Sequence, residues 1–63
     1  MDLDYDHLLT PQEVADLLNM SALTLRDWRR KRINLPYVRI GNLPRYKMGE
    51  IEAFIDARTR EVM

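Results

Sequence analysis

Residues 9–32 read LTPQEVADLLNMSALTLRDWRRKR and carry the signals for two successive helices. Thr10-Pro11-Gln12-Glu13 puts a hydroxyl at an N-cap, proline at the first helical position and a carboxylate three residues after the cap. This is a capping box, with proline where its missing N–H forfeits no hydrogen bond. Leu9 before the cap and Val14 in the next turn have the spacing of a hydrophobic staple. Val14, Leu17 and Leu18 supply an apolar stripe, and Ala15 permits close approach. Asn19 tolerates the left-handed conformation that ends a helix. Ser21 then caps a second helix, predicted from Ala22 to about Arg32. Two short helices joined by a turn of roughly three residues form the outline of a helix-turn-helix.

At 100° per residue, Leu25 and Trp28 share one side of the second helix, with Ser21, Ala22 and Arg32 nearby. Leu23, Arg26, Asp27 and Arg30 point the opposite way, flanked by Thr24 and Lys31. Arg29 falls beside the apolar side, where its stem covers the core edge while its charge reaches water. Downstream, Pro36 stops any helix. Tyr37-Val38-Arg39-Ile40 and Arg45-Tyr46-Lys47 alternate around Gly41-Asn42-Leu43-Pro44, the pattern of a β-hairpin. The alternation assigns Val38, Ile40 and Tyr46 to the core and Arg39, Arg45 and Lys47 to solvent. Strands this short hold only when packed on the helices. A last helix is predicted from about Gly49 to Arg60, burying Ile51, Phe54, Ile55 and the stem of Arg58. Glu50 and Glu52 at its start and Arg58 and Arg60 at its end complement the helix dipole. The expected fold is mainly α with a β-hairpin, a winged helix-turn-helix in the order helix, turn, helix, hairpin wing, helix.

The chain has 63 residues, and a soluble domain of that size buries only roughly 60% of the surface its unfolded chain exposes. One domain with one thin core follows, which excludes a nucleotide-binding α/β fold or a deep substrate cleft. Residues 1–7 read as an acidic leader, 8–60 as the folded domain and 61–63 as a tail. Hydrophobic residues at 46% and charged residues at 32% are a globular composition. Cysteine is absent, so no disulfide or thiolate zinc site staples the core, and a reducing cytoplasm is permitted. No apolar run approaches a membrane span, and the acidic N-terminus is the reverse of a signal peptide.

The net charge of zero conceals a strong segregation. From Met1 to Asp16 there are five acids and no Lys or Arg; from Arg26 to Lys47 eight bases face the single acid Asp27, a net +7. From Met48 onward four acids face two arginines. A charge run is ordinarily a solvated face, but this one occupies two adjacent elements of a helix-turn-helix while the compensating acids lie elsewhere. Sign and placement together point to nucleic acid.

On that reading Arg26, Arg30 and Lys31 reach phosphates and guanine edges, since a guanidinium fork matches guanine O6 and N7. Ser21 and Thr24, near the positive end of the second helix, donate to phosphate. Asp27 either accepts from a cytosine amino group or orients Arg30 and Lys31 one turn on. Leu23 is either a thymine-methyl contact or a plain exposed leucine. Arg39, Arg45 and Lys47 grip backbone phosphate through the wing, and Asn42 probes the minor groove, whose readout is degenerate. Trp28 belongs to the core, and Tyr37 and Tyr46 are packing residues with a polar tip at its edge. His7 is alone beside Asp6, so no metal site is expected. The alternating Asp2, Asp4 and Asp6 read as a soluble tail, with a short strand or partner contact as the sharper alternative. With no nucleophile–base pair and no phosphate-cradling glycine loop, neither an enzyme nor a cofactor is expected.

Leu9 to Leu18, Thr24-Leu25-Arg26-Asp27-Trp28-Arg29, Pro36-Tyr37-Val38-Arg39-Ile40-Gly41 and Arg45-Tyr46-Lys47 together resemble the MerR-like excisionase family, which includes AlpA-type phage and prophage regulators. The resemblance spans about residues 8 to 58. It implies that the second helix enters the major groove and the wing reaches the neighbouring minor groove or its backbone. It also implies a cytoplasmic, bacterial or phage-encoded protein that steers recombination toward excision, regulates transcription, or does both. Cooperative head-to-tail self-association on adjacent sites, DNA bending and an integrase or recombinase partner follow from it. Asn42-Leu43-Pro44 stands where the family wing tip carries Arg or Lys, and Glu50 where Asp commonly opens the final helix. The long dimerisation helix and effector domain of MerR-type activators have no counterpart, so no small-molecule effector is expected. The competing class is a protein-interaction module that kept the fold and lost DNA binding, which the altered wing tip and zero net charge favour.

Overall fold

Thr10 leaves the helix with extended backbone (φ −77°, ψ 161°) and turns both ends of its polar character onto the same residue. Its Oγ1 accepts from the Glu13 N–H at 3.1 Å, and its own N–H donates to Glu13 Oε1 at 2.9 Å. The capping box therefore starts α1 (Pro11–Leu18) where the sequence places it. The structure, a computed structural model, describes residues 8–61; the leader with His7 and the terminal Val62 and Met63 lie outside the described residues. Replacing Thr10 by Ala leaves the Glu13 amide without its side-chain acceptor. The expected cost is about 0.5–2 kcal/mol, read as a lowered urea midpoint with an unchanged slope.

Asn19 ends α1 in the left-handed region (φ 55°). The Met20 N–H reaches Ala15 O at 2.9 Å and the Asn19 N–H reaches Asp16 O at 3.2 Å, which is a Schellman pair with asparagine in the glycine position. After this three-residue turn, Ser21 caps α2 (Ala22–Lys31) by accepting from the Leu23 N–H at 3.1 Å. The same closure recurs at the other end. Arg32 is left-handed (φ 56°), with the Ile33 N–H on Trp28 O and the Arg32 N–H on Arg29 O. Arginine has no preference for that region, so this stop, unlike the first, carries no signal in the sequence.

The hairpin comprises β2 (Val38–Ile40) and β3 (Leu43–Lys47), and α3 (Met48–Glu61) follows directly. Its loop is shorter than the alternation suggests: Leu43 and Pro44 belong to β3, leaving Gly41-Asn42 as a two-residue turn. Gly41 has φ +63° and Asn42 does not have positive φ, the pattern of a type II′ turn, whose twist matches the flanking strands. In this register Ile40 and Leu43 close the turn and Arg39 faces Pro44. The second pair of such a hairpin exchanges no ladder bonds, so proline forfeits nothing there. Leu8–Leu9 adds a strand, β1, which pairs with β3 at Leu8–Lys47 and Leu9–Tyr46, giving an antiparallel sheet in the order β1-β3-β2. Two residues are too few to show a strand period, which is why the sequence offers Leu9 only as a staple.

Val14, Ala15, Leu25, Leu35, Tyr46 and Ile51 form the buried core. Leu9, Leu18, Met20, Ala22, Trp28, Tyr37, Met48 and Phe54 pack around it. Trp28 is half-buried rather than enclosed, its ring tilted against that of Phe54 at 5.8 Å. Three expected core residues are exposed: Leu17, Ile40 and Ile55. Around α1, Val14, Ala15 and Leu18 define the inward direction, and Leu17 lies about 100° off it. On α3, Ile51 enters the core and Phe54 packs against Trp28, while Ile55, one turn after Ile51, stays exposed. Ile40 is a matter of register. Because Arg45 pairs with Val38 and Pro44 with Arg39, Tyr46 shares its face with Pro44 and Arg39, not with Val38 and Ile40.

Candidate nucleic-acid interface

The capping of α2 at Ser21 directs its core side through Leu25 and leaves Leu23, Arg26 and Arg30 exposed on the other. Leu23, Arg26, Asp27 and Arg30 line a shallow concavity of about 340 Å³ on that face. Arg26 and Arg30 stand on successive turns, roughly 6 Å apart along the axis. Asp27 forms ion pairs with both cations one turn on. Its Oδ2 lies 3.1 Å from Lys31 Nζ and its Oδ1 3.3 Å from Arg30 Nη2. The hydrogen bond from Lys31, with the charges of Lys31 and Arg30, holds the Asp27 carboxyl below the usual carboxylate range. It is therefore ionised at neutral pH and gathers two cations beside Arg26. Ser21 spends an acceptor lone pair on the helix cap and keeps its O–H for donation. Thr24 is half-buried beside it.

The wing does not present its bases on one face. Arg39 lies on the α2 side of the hairpin, with Nη2 donating to Tyr37 Oη at 3.4 Å and its guanidinium carbon 5.8 Å from the Tyr37 ring centre. Arg45 and Lys47 project from the opposite face and are half-buried. Arg45 Nη1 donates to the Pro44 carbonyl at 2.7 Å. The expectation that Arg39, Arg45 and Lys47 share one solvent face is corrected by the register, in which adjacent β3 residues alternate. Asn42 is exposed at the turn. Leu8, Ile40 and Leu43, all exposed, share the outward face with Arg45 and Lys47.

Between α2 and the hairpin runs a cleft lined by Arg26, Arg29, Arg30, Tyr37, Arg39 and Pro44. Three of these, Arg29, Tyr37 and Pro44, lie outside the set the sequence assigns to DNA contact. Arg29 Nη1 donates to the hydroxyl of the buried Tyr46 at 2.8 Å, so the stem covers the core edge as expected while the guanidinium turns into the cleft. Its place one turn after Arg26 was the available signal, and its nearness to the apolar side hid it. Among the described residues no three His, Cys, Asp or Glu side chains gather as a metal-binding group, and no helix is long and apolar enough to cross a membrane. A family model described as a helix-turn-helix domain matches residues 8–59. No curated protein and no solved structure matches the chain.

Proposed function

Because the chain belongs to the helix-turn-helix domain family, we propose that it is a sequence-specific double-stranded DNA-binding protein of excisionase type, inserting α2 into the major groove and laying the hairpin on the adjoining backbone. The family supports DNA as the partner. The observation that carries the reading is the collection of positive charge on one side of the molecule. Arg26, Arg29, Arg30, Lys31 and Arg39 gather on α2 and the near face of the wing, with Asp27 as the one acid among them. A helix about 10–12 Å across with its side chains fits a major groove about 12 Å wide.

In this arrangement Arg26 and Arg30 reach guanine edges or phosphates, Lys31 takes a phosphate, and Ser21 and Thr24 meet the backbone at the helix start. Leu23 contacts a thymine methyl. Arg39 holds the backbone beside α2, while Asn42 at the turn and Arg45 and Lys47 along β3 meet it from the wing, contributing affinity more than readout. One α2 reads only a short site, so useful specificity calls for several copies side by side on DNA. An integrase would be the protein partner of the excision role. The AlpA-like regulator uses the same face, and sites selected from a library separate the two: sites in an attachment region favour excision control, and sites over a promoter favour transcription control.

A salt series of fluorescence-anisotropy titrations with a mixed-sequence duplex tests the reading itself. Four to six phosphate contacts give a log–log slope of about −4 to −5, each contributing roughly −0.9. No binding at low salt would sink the proposal in favour of a protein-interaction module.

A further inference from the structure

The cleft between α2 and the hairpin brings four arginines, Arg26, Arg29, Arg30 and Arg39, around a volume of about 270 Å³. That is below the roughly 300–1,000 Å³ of pockets that enclose whole small molecules. Among the described residues only Arg30 of the four has a carboxylate partner, Asp27. Crowded guanidinium groups repel one another, so the fold, not mutual attraction, holds them here, and an anion relieves the repulsion.

Two of the four rest on tyrosines before any ligand arrives, Arg29 firmly at 2.8 Å and Arg39 more loosely at 3.4 Å. Arg29 is tied to Tyr46 and Arg39 to Tyr37, and the two tyrosine rings lie 6.2 Å apart. The two arginines thus approach the cleft from opposite walls, one from the helix and one from the sheet, on adjoining supports. A guanidinium that gives one N–H to a tyrosine keeps four others. Its planar fork suits phosphate oxygens, and a side chain ordered in advance loses less entropy on binding.

We propose that the cleft seats one phosphodiester of the DNA backbone, clamped between Arg29 and Arg39. The proposal rests on the chain being a DNA binder and adds to that reading one shared contact, made between the two elements and not at the wing tip.

The test is the salt series on the full chain with a fluorescein-labelled mixed-sequence duplex, comparing wild type with Arg29→Gln, Arg39→Gln, the double variant and Arg29→Lys. The double variant should bind about tenfold or more weakly. Its slope should flatten by about 0.9, the share of one phosphate, and Arg29→Lys, which keeps the charge, should retain the wild-type slope. A flattening of about 1.8 means two separate phosphates and overturns the shared seat. Wild-type affinity and slope in the double variant overturn it altogether while leaving DNA binding intact. Arg39 is exposed, so Arg39→Gln keeps the fold even if Arg29→Gln does not. On its own it must weaken binding severalfold, and wild-type binding by it counts against the clamp. A wild-type chain that fails to bind removes the underlying reading instead.

Discussion

Arg26→Glu/Arg30→Glu is expected to weaken binding to duplex DNA by about a hundredfold or more at moderate salt while the protein stays folded. Each arginine that meets a base edge or phosphate contributes about 1–3 kcal/mol, and 1.4 kcal/mol is tenfold in affinity. Reversal removes two such contacts and places two carboxylates against the phosphates, so the loss exceeds simple truncation. The folding cost is small because Arg26 is exposed and the Arg30 side chain is 75% exposed. What the fold loses is one solvent-exposed ion pair to Asp27, a class of interaction with little net effect. Anisotropy titration reads the affinity and urea denaturation the fold. A folded double variant with wild-type affinity would move the interface off α2 entirely.

Tyr46→Ala is expected to unfold the protein at room temperature. Tyr46 is 1% exposed and the largest of the fully buried side chains. It sits on β3, which touches β1, β2, α1 and α3. Truncating a large buried ring costs about 3–5 kcal/mol. At 0.05–0.15 kcal/mol per residue, a chain of 63 residues has a total stability of roughly 3–9 kcal/mol. The cavity alone therefore removes a large share of it, and Arg29 also loses the acceptor that holds it at the core edge. Far-ultraviolet circular dichroism should show loss of helix without denaturant. Tyr46→Phe keeps the ring and separates packing from the hydrogen bond. A cooperative urea transition near the wild-type midpoint in Tyr46→Ala would mean that β3 is not the keystone of the core.

The two predictions draw on different levels of the molecule. The exposure of Arg26 and Arg30 is legible in the periodicity of α2, because Leu25 and Trp28 together set which way the helix faces. That Tyr46 is the core's largest member is not, since the alternation around the hairpin groups it with Val38 and Ile40 and expects equal burial from all three. Ile40 is instead 54% exposed. The wing bases divide for the same reason, with Arg39 beside α2 and Arg45 and Lys47 behind.

Short-range signals specify α1, its turn and the start of α2, and residue order alone gives the sign and place of the charge. Each of those signals closes within five residues: Thr10 with Glu13, Asn19 and Met20 with Asp16 and Ala15, Ser21 with Leu23. The faces of the wing, the strand at Leu8–Leu9 and the turning of Arg29 into the cleft come instead from long-range packing. Strands of two to five residues carry too few alternations to choose a face, and a shift of one residue in register reverses them all. Arg29 meets Tyr46 across 17 positions of chain, a distance that no local hydrogen bond or helical period can span, and their meeting is set by how the sheet docks on α2.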